Sequence, residues 1–323
     1  MRASVVTLST LSISIAIGAC ARRAAEEPVA RTGDEIVVCG QFFHTGAPVV
    51  LWTDPGGYDA YRVECRFTPD RMMPTESRRR SSPARYDTFR GNLPASVAQR
   101  VWSEGWTLPL LQQQIDLFVL HYDVCGTSRV CFKVLHDMRG LSSHFLLDVD
   151  GTIYQTLDVK ERARHSGPAN DRSVGVEIAN MGAYEDEAEF DKWYKPDAGG
   201  WPVFQPNEVN GSTGIRTRGF VARPSRRELV AGRIHDRDLY QYDLTDAQYD
   251  SLAKLSAALC RALPRILPDA PRAANGEVRK GVLSPDELAK FRGILGHYHV
   301  TEDKIDPGPA MNWARLFRQM RAK

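Results

Sequence analysis

Hydrophobic positions follow two periods along this chain. Residues 115–121 (IDLFVLH) form a near-continuous apolar run of the kind that fills a central strand, and 173–180 (SVGVEIAN) form another. Residues 144–158 (HFLLDVDGTIYQTLD) read as a hairpin closing at Asp150-Gly151. Residues 293–300 (GILGHYHV) are the last strand-like piece. Helical spacing appears from Pro94 to Gly105, with Val97, Val101 and Trp102 on one face. It returns after Leu244, where Thr245 and Gln248 fit a capping box and Leu252, Leu255, Leu259 and Ala262 share a stripe. Pro264 and Pro268 end that helix, and Asn312 opens a terminal one. Strands alternating with helices predict an α/β fold, a mixed central β-sheet flanked by helices.

The flanks break this rhythm. Residues 1–19 carry Arg2 and an apolar stretch from Val5 to Ile17, and read as an export signal rather than as fold. The stretch ends in Ile17-Gly18-Ala19-Cys20, which resembles a bacterial lipobox; that implies a lipidated Cys20, a lipoprotein and a membrane anchor. Ala21 in place of Asp points to the outer membrane, facing the periplasm. An ordinary cleaved signal is the alternative. Residues 20–34 read as a tether and 35–68 as a small N-terminal β extension beside the main domain. Residues 69–90, with Arg78 to Arg80 in a row, read as a solvated linker rather than a basic patch. The main domain spans 91–323, interrupted by a long loop insertion at 183–238 that is a candidate lid or binding wall.

Composition narrows the function classes. The 323 residues are 42% hydrophobic and 25% charged, which excludes a wholly disordered chain. Lys and Arg number 42 against 40 Asp and Glu, so bulk charge does not hold a nucleic acid. In an oxidising compartment the cysteines are candidates for pairing. Cys125 and Cys131 lie close enough to staple one loop, and Cys39 and Cys65 flank an aromatic-rich segment that a second bridge would close. Cys260, on a helical pattern, reads as a small buried hydrophobe. No CxxC pair supports a cysteine zinc site.

Histidine placement carries the chemistry. His121 ends one apolar strand, His297 follows another, and Asp306 lies in a Pro-Gly loop. Two His and one carboxylate make a three-ligand set with an open fourth position, as in catalytic zinc sites. On residue types alone, each member also reads as structural: a packed histidine or a turn aspartate.

The order of motifs resembles the N-acetylmuramoyl-L-alanine amidase type 2 family, which includes AmpD-like amidases and peptidoglycan recognition proteins. The resemblance rests on FVLH121, LSSH144FLLDVDG151TIYQ155, RH165SG, N170DRSVGVE177IAN, ILGH297 and K304IDPGP. It implies His121, His297 and Asp306 as ligands of one zinc ion, Glu177 as the carboxylate taking the water's proton, and Lys304 as the cation at the oxyanion. It further implies His165 and Asn170 as substrate-positioning residues, with His165 able to act behind the metal ligands. The substrate it implies is peptidoglycan or its muropeptides, cut between N-acetylmuramic acid and L-alanine. The CGTSRVC loop resembles the disulfide loop of recognition proteins. Departures are Ser143 where some members carry a catalytic Tyr, Arg164 for a Trp, and Tyr122 after the first ligand. His299 is the one rival ligand to His297, or a substitute behind the ligands, and His144 reads as a packed neighbour. His44, His136 and His235 read as surface or structural. A non-catalytic wall-binding protein of the same fold and an amidase on another peptide are the alternatives.

Overall fold

The computed structural model describes residues 31–68 and 84–322, and from Thr32 onward they form one unit. Cys20 and the signal, most of the tether and most of the linker lie outside the described residues. Chain order begins with a hairpin, β1 (Glu35–Val38) and β2 (Gln41–His44), then β3 (Val49–Leu51) and β4 (Tyr86–Asp87). Helices α1 (Ala95–Glu104) and α2 (Leu108–Gln114) lead to β5 (Leu117–Tyr122). A short helix α3 (Ser128–Phe132) runs on into a π-helical stretch, Lys133–Arg139. Next come β6 (Phe145–Leu147), β7 (Ile153–Gln155), β8 (Arg162–Ala163) and β9 (Ser173–Ile178). The insertion holds β10 (Tyr194–Pro196), β11 (Pro202–Phe204) and β12 (Val230–Ile234), and β13 (Arg237–Gln241) leaves it. The chain closes with α4 (Asp246–Ala262), α5 (Pro285–Lys290), β14 (Gly293–Gly296) and α6 (Trp313–Arg321).

Six strands make the central sheet, in the order β14-β5-β9-β6-β7-β3. Every neighbouring pair is parallel except β6 and β7, whose antiparallel hairpin turns at Asp150-Gly151 as the sequence predicts. Alternation along the strands divides the sheet's faces. Phe118 and Leu120 of β5, with Val174, Val176 and Ile178 of β9, join the main core against Leu252, Leu255 and Leu259 of α4. That leaves His121 and Glu177 on the opposite face. The two are direct register partners, so both side chains rise from the same side of the sheet. The capping box at Thr245 and Gln248 is present, and Thr245 Oγ1 also donates to Val149 O (2.7 Å), tying α4 to the β6–β7 hairpin.

Three expectations change. Residues 35–68 are not a unit set beside the domain, because β3 pairs with β7 as the edge strand of the central sheet. Its companion hairpin turns through Cys39 and Gly40, both at positive φ, the conformation of a two-residue primed turn. Gln155 clamps β1 by accepting from Val37 N (2.7 Å) and donating to Val37 O (2.8 Å), while Asp158 accepts from Cys39 N and Gly40 N. Second, the insertion contains two hairpin pairings, β10–β11 and β12–β13, and an aromatic cluster around Phe190, Tyr194 and Phe204. Third, α1 buries Val97 and Val101 but leaves Trp102 75% exposed, since adjacent helical positions point about 100° apart.

The four cysteines expected to pair are free thiols here. Cys39 and Cys65 sit in different surroundings, Cys39 donating to Trp106 O and Cys65 to Asp137 O, so that pairing is not made. Cys125 and Cys131 are both buried, at the two ends of the same short loop. Cys260 is half-buried on α4, in keeping with its packing role. Among the described residues no helix is long and apolar enough to cross a membrane.

Candidate active site

The site is built at the C-terminal ends of the parallel strands. His121 is near the end of β5, His297 opens the turn after β14, and Asp306 lies in the loop between that turn and α6. Their donor atoms converge. His121 Nδ1 lies 3.1 Å from His297 Nδ1 and 2.9 Å from Asp306 Oδ2, and His297 Nδ1 is 3.1 Å from that same oxygen. All three residues are buried. Burial pushes the His121 imidazolium down to about 4, while hydrogen bonds from the two histidines outweigh burial and hold Asp306 well below the usual carboxylate range. Neutral imidazoles and an ionised carboxylate are the ligand-ready forms. Two imidazole nitrogens and a carboxylate oxygen gathered at one point offer three lone pairs to one centre. A divalent cation of the zinc type satisfies all of them at once, so the donor set fits.

The residues behind the ligands fix their orientation. His121 Nε2 meets His165 Nδ1 at 2.9 Å, and His165 Nε2 meets Ser173 Oγ at 3.2 Å. His121 thus has its Nε2 engaged away from the centre, which leaves its Nδ1 free to ligate. Burial, then the neighbouring His121, depresses the His165 imidazolium well below its ordinary value. The strand beside it makes room: a Cβ built on Gly175 would meet His165 Nδ1 at 2.5 Å, so glycine is required there by close approach.

Glu177 lies against this centre and is buried. Burial, then the carboxylates of Asp306 and Asp123, raises its pKa well above the ordinary value. Lys304 reaches the same cleft, half-exposed, its Nζ 3.1 Å from Asp303 Oδ2. The cleft has a volume of about 420 Å³, walled by Val134, Leu135 and Arg139 of the π-helical stretch on one side and by Arg164 and His165 on the other.

Six of the seven predicted site residues therefore meet in one cleft. Asn170 does not line it. Its Oδ1 accepts from His165 N, Ser166 N and Ser166 Oγ, so it shapes the loop that carries His165. His299 is no ligand, because Gly296 N donates to its Nδ1 and its Nε2 meets Arg279 O (2.7 Å). His144 is held between Gly175 N and Glu161 O, as a packed neighbour. His235 supports the ligand loop through Lys304 O (2.9 Å). Among the described residues, none of the insertion 183–238 lines the cleft. Sequence reasoning missed Arg139, a cation at the cleft's edge, and Asp123, which burial pushes up to about 7. The only signal for Asp123 was its place two residues past a ligand.

The sequence profile of the N-acetylmuramoyl-L-alanine amidase family matches residues 111–309, more than half of the chain and every residue of the site. The chain belongs to this family. It is an amidase of the N-acetylmuramoyl-L-alanine class, and peptidoglycan amidase activity follows from that membership. Among solved structures, a selenomethionine derivative of AmpD is 20% identical, with 64% of this chain and 86% of that one covered and a TM-score of 0.31. AmiD from E. coli, complexed with anhydro-N-acetylmuramic acid-L-Ala-D-γ-Glu-L-Lys, is 19% identical over 64% of this chain and 57% of that one, with a TM-score of 0.34. The endolysin LysCS from Clostridium intestinale URNW is 15% identical over 66% and 88%, with a TM-score of 0.34. No curated protein sequence matches the chain.

Proposed function

We propose that this chain hydrolyses the amide between N-acetylmuramic acid and L-alanine in peptidoglycan or its fragments, using one zinc ion held by His121, His297 and Asp306. The observation that supports this most is the convergence of those three donors within 3.1 Å, with Glu177 on the neighbouring strand in register with His121. When bound, zinc supplies a Lewis acid for the carbonyl and lowers the pKa of an attacking water. Glu177 accepts that water's proton. The same carboxyl then returns the proton to the departing L-alanine nitrogen. Lys304 stabilises the charge that develops on the carbonyl oxygen as the carbon becomes tetrahedral. His165 holds His121 in one tautomer, and Asn170 holds the His165 loop.

Export through the signal, lipidation at Cys20 and anchoring at the outer membrane belong to the same reading, which sets the enzyme on the periplasmic side, where its substrate is. The deciding experiment incubates the purified protein with sacculi and with soluble muropeptides and follows products by mass spectrometry. Release of free stem peptide from N-acetylmuramic acid is expected. Binding with intact glycopeptide would replace the enzyme by a wall-binding protein, and release from another amide would move the substrate.

A further inference from the structure

Three permanent cations line the cleft, and the fold occupies two of them. Arg164 donates to Asp87 through Nε and Nη2 and to Ala84 O through Nη1. Lys304 has Asp303 Oδ2 at 3.1 Å. The third, Arg139, is exposed, and among the described residues its guanidinium has neither an ion pair nor a hydrogen bond. Its charge still reaches the reaction centre. Burial and then the carboxylates of Asp306 and Asp123 raise the Glu177 pKa, and Arg139 is the cation that works against them.

The side chain is open, but its mount is rigid. Arg139 is the last residue of the π-helical stretch, where i→i+5 bonding brings residues four and five apart onto one face. Val134, Leu135 and Arg139 therefore line the cleft together. The stretch is held from behind. His136 Nε2 meets Arg62 O (2.9 Å), Arg85 Nε donates to His136 O (3.2 Å), and Asp137 accepts from the amides of Arg66, Phe67 and Thr68. Leu141 N donates to Leu135 O (2.8 Å) and closes it. The rest of this lining is apolar: Val124, 48% exposed, and the half-buried Val134, Leu135 and Leu141.

Apolar side chains beside an unpaired guanidinium fit a small methyl side chain followed by a carboxylate. A guanidinium holds a carboxylate through two parallel charge-assisted bonds, which an uncharged carboxamide does not reproduce. In the substrate read above, the residue after the scissile amide is L-alanine, whose side chain is a methyl. Where the next residue is D-glutamate joined onward through its γ-carboxyl, its α-carboxylate stays free. That carboxylate hangs on the Cα next to alanine's, about 3.8 Å further along. We propose that Arg139 is a specificity-determining residue that binds the free α-carboxylate of a γ-linked glutamate following L-alanine in the stem peptide. This rests on the amidase reading above.

The test compares four versions of N-acetylmuramoyl-L-Ala-D-γ-Glu-L-Lys, with the glutamate α-group as carboxylate or carboxamide and the lysine C-terminus free or amidated. For each, kcat/KM is measured with the full wild-type chain and with Arg139→Gln, Arg139→Ala and Arg139→Lys. Wild-type protein should favour the α-carboxylate over the α-carboxamide about tenfold or more, the usual worth of a charge-assisted pair. Arg139→Gln should bring that ratio close to one, and Arg139→Lys should keep part of it. Arg139→Ala provides the second reading should Arg139→Gln unfold, as judged by circular dichroism. A wild-type chain blind to the α-group, or an unchanged ratio in the variants, overturns the assignment. So does discrimination that follows the C-terminal carboxylate. An equal loss on all four compounds with a displaced pH profile also overturns it, because Arg139 then acts only through Glu177. The same ratio is read as affinity by calorimetry in the Glu177→Gln background. Binding that depends on both Arg139 and the α-carboxylate, with no peptide released by the wild-type chain, would sink the amidase reading alone.

Discussion

Glu177 and His121 stand opposite each other on adjacent parallel strands, and that single register pairing sets which substitutions separate binding of metal from turnover. Glu177→Gln keeps the volume and the three ligands, so zinc content by atomic absorption should remain near one per chain. Turnover should fall about 10²- to 10⁴-fold, the usual contribution of a positioned base. Near wild-type hydrolysis would remove Glu177 from the reaction. His297→Ala takes away a ligand, and zinc should drop well below half an equivalent after dialysis; full retention would refute the ligand set. His165→Ala leaves all three ligands in place but frees His121 to rotate. Zinc affinity should weaken about 10- to 100-fold, the typical effect of losing a partner behind a ligand. These candidates were legible in the sequence through the order of motifs that resembles the amidase family, since on residue types alone each ligand also read as structural. What was not legible is that Asn170 serves the backbone and that His299 faces away. The His299 outcome depends on a hydrogen-bond partner twenty residues away, Arg279, and the Asn170 outcome on how the turn from His165 folds back.

At the level of elements, Gly175 shows why β9 tolerates no side chain at its centre. Gly175→Ala should leave the fold intact by circular dichroism yet push His165 off His121, and zinc titration should show a loss resembling that of His165→Ala. The N-terminal hairpin makes a pH-dependent contribution. Burial pushes Asp34 and Glu35 up, but hydrogen bonds from Thr32, His44 and the Gly46 amide to Asp34, and from Thr32 and backbone amides to Glu35, outweigh it and bring both to about 2. Depressed carboxyl groups stabilise the fold fully above their unfolded values of about 4. That contribution is lost as pH falls toward 2, so amide exchange in β1 and β2 should accelerate over this window, and flat protection would contradict the assignment. The helices with caps and the Asp-Gly hairpin were readable because their signals are local. The run that holds β3 reads as β-like, but its place in the central sheet was not legible, since its partner β7 lies about a hundred residues on. The π-helical wall likewise has no sequence signature.

Over the whole molecule, the thiols fall into two settings. Cys125 and Cys131 are buried in one short loop, with Cys125 at the cleft, whereas Cys39 and Cys65 have different neighbours. Oxidised protein mapped by peptide mass spectrometry should therefore link Cys125 to Cys131 and leave Cys39 and Cys65 unlinked; a Cys39–Cys65 bridge would require a rearranged N-terminal segment. The family profile begins at residue 111, but the enzyme's structural boundary does not. β3 completes the sheet, Asp137 accepts from the amides of Arg66, Phe67 and Thr68, and Arg90 braces the His165 loop.

The edge position of β3 also bears on how the chain can be divided. Residues 32–68 and 84–322 make their contacts through a donated strand, a hairpin clamped by Gln155 and a carboxylate latch at Asp137, all of them non-covalent. Two separately encoded fragments with the break inside 69–83 should therefore find each other and reassemble an active amidase. The C-terminal fragment alone would carry every ligand but present an unpaired β7 edge to solvent, and should aggregate.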